Sequence, residues 1–233
     1  LGLDLRLWEG LFPLLPAGLR LISYDARGHG GSSCPPGPYS MGALIRDAER
    51  LLDNLGIRDC TFVGASMGGL VAQGLAVKRL DLVRALVLAN TAVKIGTPAQ
   101  WQARAAAVEE GGMIAIADQI HERWFSRRFR QGAEASIWRD RLIATPTAGY
   151  IASCAAIAGA DFLTPTSGLR LPTLVLAGSE DRATPPDLVA EIAGLIPGAR
   201  YRLIRGAGHL PAVDAPLALA AELAEFLRNI GHG

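Results

Sequence analysis

The sequence predicts an α/β fold: a mostly parallel central sheet flanked by helices, with a helical cap inserted into it. Three observations carry this. Short apolar runs that end in polar or glycine-rich loops recur along the 233 residues and read as buried strands. Segments with apolar residues at helical spacing separate those runs, the alternation expected of βα units. One long stretch, from about 97 to 168, has no good strand and is rich in Ala, Arg and Trp.

Taken in order, LRLISYD (Leu19–Asp25) is expected to be a buried strand, and the Gly- and Pro-crowded RGHGGSSCPPGP after it a loop. From Ser40 to Leu55, apolar residues at Leu44, Ala48, Leu51, Leu52 and Leu55 mark a helix, with Ser40 as N-cap and Gly56 as stop. CTFVGA is the next strand and MGGLVAQGLAVKR the next helix. RALVLAN (Arg84–Asn90), TLVLAG (Thr173–Gly178) and ARYRLI (Ala199–Ile204) are further strands. PDLVAEIAGLI and the final PLALAAELAEFLRNI are helices. The expected division is one domain over 1–233, with a core of 1–96 and 169–233 and a cap of about 97–168.

Composition narrows the function classes. Half of the residues are hydrophobic, enough for a sizeable core, and the formal charge is +1. No basic stripe interleaved with aromatics is present, so nucleic acid is not an expected partner. No apolar run approaches the roughly 18 residues of a membrane span, and the start does not read as a signal peptide. Cys34, Cys60 and Cys154 show neither paired nor metal-ligand spacing. Three thiols cannot all pair within one chain, which favours a reducing cytosol. No metal or cofactor is indicated.

The chemistry concentrates at TFVGASMGGL, where Gly64-Ala65-Ser66-Met67-Gly68 fits G-x-S-x-G. An apolar strand runs into Ser66 and a helix leaves it, the setting of a nucleophile elbow. Gly64 and Gly68 are expected to let strand and helix approach closely. The serine then stands at the carboxyl end of a strand, where parallel sheets bind ligands, and at a helix N-terminus suited to an oxyanion. A serine hydroxyl needs a base, and the base an orienting acid. Asp181, in GSEDRATPP, and His209, in GAGHLP, follow two later strands and fill those roles. Glu180 is the alternative acid. His29 is the main alternative base, though it reads better as bonding within its loop; His121 lies in the cap and His232 near the end.

These motifs, in this order and spacing, resemble the α/β-hydrolase fold over essentially the whole chain. PPGPYSMGALIRDAERLLDNLGI, LVLANTAVKIGTPAQWQARAAAV and ERWFSRRF are similar, more closely, to 3-oxoadipate enol-lactonases of bacterial aromatic catabolism. The resemblance implies Ser66, Asp181 and His209 as nucleophile, acid and base. It also implies an oxyanion hole from the backbone N–H groups of Leu1 and Met67. The substrate is then a small lactone, opened in the β-ketoadipate pathway in the cytoplasm. A carboxymuconolactone decarboxylase is a possible fusion or pairing partner. Two features depart from the family. GHLPAVDAP is nearer to a generic hydrolase pattern, and the strands that open such a sheet are expected to be missing before Leu1.

The substrate implied by the resemblance carries a carboxylate, for which a cap arginine is the natural partner. Arg123, Arg127, Arg128 and Arg130 are the candidates, Arg127 foremost, with Trp124 as an apolar wall. Trp8, Trp101 and Trp138 read as packing residues, and Cys34 as structural. Competing readings are a general carboxylesterase, a carbon–carbon bond hydrolase of the same fold, and a ligand receptor on a hydrolase scaffold without turnover.

Overall fold

The computed structural model describes residues 1–231. Four parallel strands form one sheet in the order β1-β2-β3-β4: β1 (Cys60–Ala65), β2 (Val83–Ala89), β3 (Thr173–Gly178) and β4 (Arg200–Ile204). The runs LVLA in β2 and TLVLAG in β3 are buried throughout, as strands covered on both faces must be. Burying each such Leu or Val contributes roughly 1.5–3 kcal/mol. One face packs Leu86, Leu88 and Val175 against α1 (Met41–Asn54), α2 (Met67–Lys78) and, later in the chain, α9 (Pro186–Leu195). The other packs Val87, Leu174 and Leu176 against α11 (Pro216–Asn229), through Leu219, Leu223 and Phe226.

The expected helix after the first loop is α1. Ser40 caps it by accepting from the Ala43 N–H at 3.2 Å, and Gly56 leaves it at φ +67°. Its buried face is Met41, Leu44, Ile45, Ala48 and Leu52, while Leu55 points to solvent. Between β2 and β3 the chain forms α3 (Pro98–Gly111), α4 (Ile114–Trp124), α5 (Arg127–Arg130), α6 (Glu134–Ile143), α7 (Thr147–Ala158) and α8 (Leu163–Ser167). Thr97 and Gln100 close a reciprocal capping box on α3. Helix α3 packs on α4 and α7, and α4 on α6. A short helix α10 (Pro211–Asp214) precedes α11.

Leu19–Asp25 is not a strand. The segment has no ladder partner, and Leu21 and Ile22 remain 39% and 37% exposed. Its apolar residues match the reading of a buried strand, but a strand also needs a neighbour to bond. A cavity separates this segment from β1, lined on one side by Leu21–Asp25 and on the other by Cys60–Gly64. Strand β1 is accordingly less buried than β2 or β3. Two single 3₁₀ turns, Leu5–Trp8 and Phe12–Leu14, precede the segment.

Candidate active site

Each of the four strands delivers one polar residue at its carboxyl end: Ser66 after β1, Asn90 after β2, Asp181 after β3 and His209 after β4. Ser66 has φ +53° and ψ −119°, a conformation a non-glycine residue rarely adopts. Such backbone strain costs about 1–3 kcal/mol and persists only where its surroundings over-determine it. Here the Ser66 N–H donates to Ala89 O at 3.0 Å, and Thr91 Oγ1 donates to Ser66 O at 2.7 Å. A side chain at Gly64 would collide with the Gly68 carbonyl, so Gly64 must be glycine. Gly68, expected to share that role through its missing Cβ, faces open space instead; it is Gly69 that packs tightly, against Thr91. Met67 opens α2, so its N–H has no intrahelical acceptor.

Across the site, His209 Nδ1 lies 2.8 Å from Asp181 Oδ2, and both residues are buried. Asn90 Nδ2 and Thr184 Oγ1 also donate to Oδ2, each at 2.8 Å. Oδ1 accepts from the N–H groups of Ala183 (2.7 Å) and Thr184 (3.0 Å). Burial pushes the Asp181 carboxyl up, but the charge and hydrogen bond of His209, with the Asn90 and Thr184 donors, outweigh it, and its pKa is lowered. The acid therefore stays ionised beside the imidazole, which fixes Nδ1 as the protonated nitrogen. Asn90 itself takes a positive φ of +48° to reach Asp181.

Ser66, His209 and Trp124 line one cavity of about 700 Å3, which continues into the gap beside β1. No hydrogen bond joins the Ser66 hydroxyl to His209; in ligand-free enzymes such contacts are often loose and tighten around substrate. The alternatives to these residues are placed elsewhere. Glu180 accepts the Arg127 N–H at 2.7 Å. His29 is buried, donates from Nδ1 to Arg27 O (3.2 Å) and accepts the Gly2 N–H at Nε2 (2.9 Å). Burial lowers its pKa to about 4, so it is neutral and holds the backbone at Gly2. His121 contacts Ala135 O in the cap, and His232 lies outside the described residues. Leu1 lines the cavity with Ser66.

Of the cap arginines read from the sequence, Arg123 reaches the cavity. Arg127 and Arg128 do not; they are exposed and border a separate open cleft with Gln131 and Arg182. Arg130 faces Glu122 at 3.8 Å. Besides Arg123 the cavity is lined by Arg20, in the Leu19–Asp25 segment, and by Arg104, on α3, stacked at 4.8 Å over Trp101, which lines the cavity besides packing in the core. Neither Arg104 nor Arg123 has an acidic partner among the described residues. Arg123 donates through Nε to Arg182 O at 3.1 Å, and its pKa is lowered by burial and by the charge of Arg104. Arg104 and Arg123 thus repel each other on one cavity, an arrangement that an anion relieves.

The chain matches the α/β hydrolase fold model over residues 1–216, and it belongs to that family. Within it, the chain is an ester hydrolase that resembles the enol-lactonases. It is 38% identical over 186 residues to 3-oxoadipate enol-lactonase 2 of Acinetobacter baylyi, covering 79% of this chain and 70% of the relative. An enol-lactonase structure from Burkholderia xenovorans superposes with TM-score 0.94 at 36% identity, over 98% of this chain and 88% of that one. A thermophilic esterase from Thermogutta terrifontis, solved with malate bound, superposes with TM-score 0.92 at 28% identity, over 98% and 86%. No described helix is long and apolar enough to cross a membrane.

Proposed function

We propose that this chain opens the ring of 3-oxoadipate enol-lactone to give 3-oxoadipate, by way of a serine acyl-enzyme. The observation that carries the reading is the meeting, on one cavity, of Ser66, the buried His209–Asp181 pair and the helical arginines Arg104 and Arg123, neither with an acidic partner among the described residues. The first three fit acyl transfer, and the arginines fit a substrate with a carboxylate.

Ser66 Oγ attacks the lactone carbonyl while His209 Nε2 takes its proton. Asp181 holds Nδ1–H and stabilises the imidazolium that forms. The N–H of Met67 receives the oxyanion, joined by that of Leu1 wherever a peptide bond precedes it; His29 steadies that segment through Gly2. Collapse of the tetrahedral species breaks the ring C–O bond. The leaving enolate takes the proton back and becomes a ketone on the acyl chain. Water, deprotonated by His209, then cleaves the acyl-enzyme and returns Ser66. In this reading 97–168 act as a cap over the core formed by 1–96 and 169–233. The place of the reaction is bacterial, cytoplasmic aromatic catabolism, beside a carboxymuconolactone decarboxylase activity.

Comparing the enol-lactone with p-nitrophenyl acetate tests the reading. The lactone is the better substrate by kcat/KM. Arg104→Met and Arg123→Met each raise KM for the lactone about tenfold or more, the loss of one charge-assisted contact, and leave the neutral ester unchanged. Equal effects on both substrates would favour a general carboxylesterase.

A further inference from the structure

Asp214 ends α10, five residues after His209 in GHLPAVDAP. Its Oδ2 accepts from the N–H of Gly208 at 2.8 Å and from the N–H of Ser126 at 3.1 Å. Gly208 directly precedes His209. Ser126 caps α5, just beyond Trp124 and Phe125. The same two segments meet again where the His209 N–H donates to Trp124 O at 2.6 Å. There is no slack between them: a side chain on Gly208 would collide with the Trp124 carbonyl and the Ser126 nitrogen. The loop that carries His209 and the cap segment that carries Trp124 are therefore joined backbone to backbone, with one carboxylate at the seam.

That carboxylate is held at a cost. Its Oδ1 is buried without a hydrogen-bond partner, and burial lifts its pKa to about 6. A buried, half-satisfied acid is a poor choice for stability alone. An ionised oxygen is, however, the stronger acceptor for two N–H groups at once.

We infer that Asp214 is a positioning residue for hydrolysis, which holds the Trp124–Ser126 segment of the cap in register with the His209 loop. The inference rests on His209 acting as the base. Through the seam, the imidazole and the Trp124 indole keep their places on the cavity wall, and Arg123, next to Trp124, keeps its own.

The test combines two kinds of variant. Asp214→Ala removes the acceptor, and Asp214→Asn restores one acceptor oxygen without charge. Ser126→Pro deletes one of the two donors. Ser126 has φ −57° and Phe125 is extended, so the backbone angles admit proline there, and its Cδ takes the place of the N–H that reaches Asp214. Ser126→Ala is its control: like proline it lacks the hydroxyl, which accepts from the Phe129 N–H, but it keeps the N–H to Asp214. Competent sites are counted by stoichiometric labelling of Ser66 with an aryl phosphonate, and kcat and KM are expressed per labelled site. The expected result is a fall in kcat of about tenfold or more for Asp214→Ala, with a rise in lactone KM, and partial recovery in Asp214→Asn. Ser126→Pro loses kcat where Ser126→Ala does not. Wild-type kcat per labelled site in Asp214→Ala, or identical kinetics for Ser126→Pro and Ser126→Ala, overturns the inference. If Asp214→Ala does not fold, the Ser126 pair still decides. His209→Ala that labels at the wild-type rate would instead sink the reading of the base, whatever the Asp214 and Ser126 variants do.

Discussion

Asp181 receives hydrogen bonds from Asn90, Ala183, Thr184 and His209, whereas Ser66 across the cavity has none on its hydroxyl and is aimed by its backbone alone. The supporting strands differ in the same sense. Asp181 follows β3, which is buried along its whole length, and Ser66 follows β1, which borders the gap beside Leu21–Asp25. One side of the site is over-determined by polar contacts. The other depends on a strained turn held by Gly64, Thr91 and Ala89. A base must rotate little but must keep its tautomer, which hydrogen bonds provide. A nucleophile must stand free of competing partners, which strain provides.

The difference can be broken most severely on the acid side. Asp181→Asn lowers kcat about 10⁴-fold, since the imidazole loses its tautomer. Asn90→Ala, which removes one of several donors to the same oxygen, lowers it far less, by about tenfold. Equal losses in the two variants would mean that Asp181 is not over-determined as described.

A smaller effect separates the two sides by pH. Buried His29, on the nucleophile side, has a pKa of about 4 against an ordinary 6.5. The unfolded chain takes up this proton first as the pH falls. The neutral imidazole's contribution is therefore complete above about pH 6.5 and is lost between there and about pH 4, by up to about 3 kcal/mol. His29→Gln keeps an acceptor for the Gly2 N–H and removes the titration. Its melting temperature should fall less between pH 7.5 and pH 5 than that of the unsubstituted chain; parallel falls would contradict the assignment.

The smallest expected effect concerns dynamics. Amide hydrogen exchange should be faster in β1 than in β2 and β3, because local opening follows burial and ladder support. Equal protection would show that the gap beside β1 does not loosen the nucleophile strand.

Much of this was legible in the sequence because each of Ser66, Asp181 and His209 follows a short apolar run, and a parallel sheet gathers the ends of such runs. Asn90 also follows one, in LVLAN, but an asparagine after a strand has no spacing signature, and its role depends on a positive φ and on the neighbouring β3 loop. The sequence puts Arg127 foremost among Arg123, Arg127, Arg128 and Arg130 and does not single out Arg104, for a related reason. The order of residues in a helical cap does not say which helix face turns inward. Trp101 and Arg104 lie three apart on α3 and share the inward face, while Arg127 begins a short helix that faces out. Leu19–Asp25 shows the limit most plainly. Its apolar pattern suits a strand, but pairing belongs to two segments, and among the described residues no second one pairs with it.

The central claim is that Ser66 attacks a carboxylated lactone with His209 as its base. The most direct measurement is turnover of 3-oxoadipate enol-lactone by this chain and by Ser66→Ala, with the acyl-enzyme sought by mass spectrometry after rapid acid quenching. The account predicts lactone opening that falls about a millionfold in Ser66→Ala, and an adduct of the intact substrate mass on the peptide containing Ser66. Opening that survives the substitution, or an adduct on another residue, would contradict it.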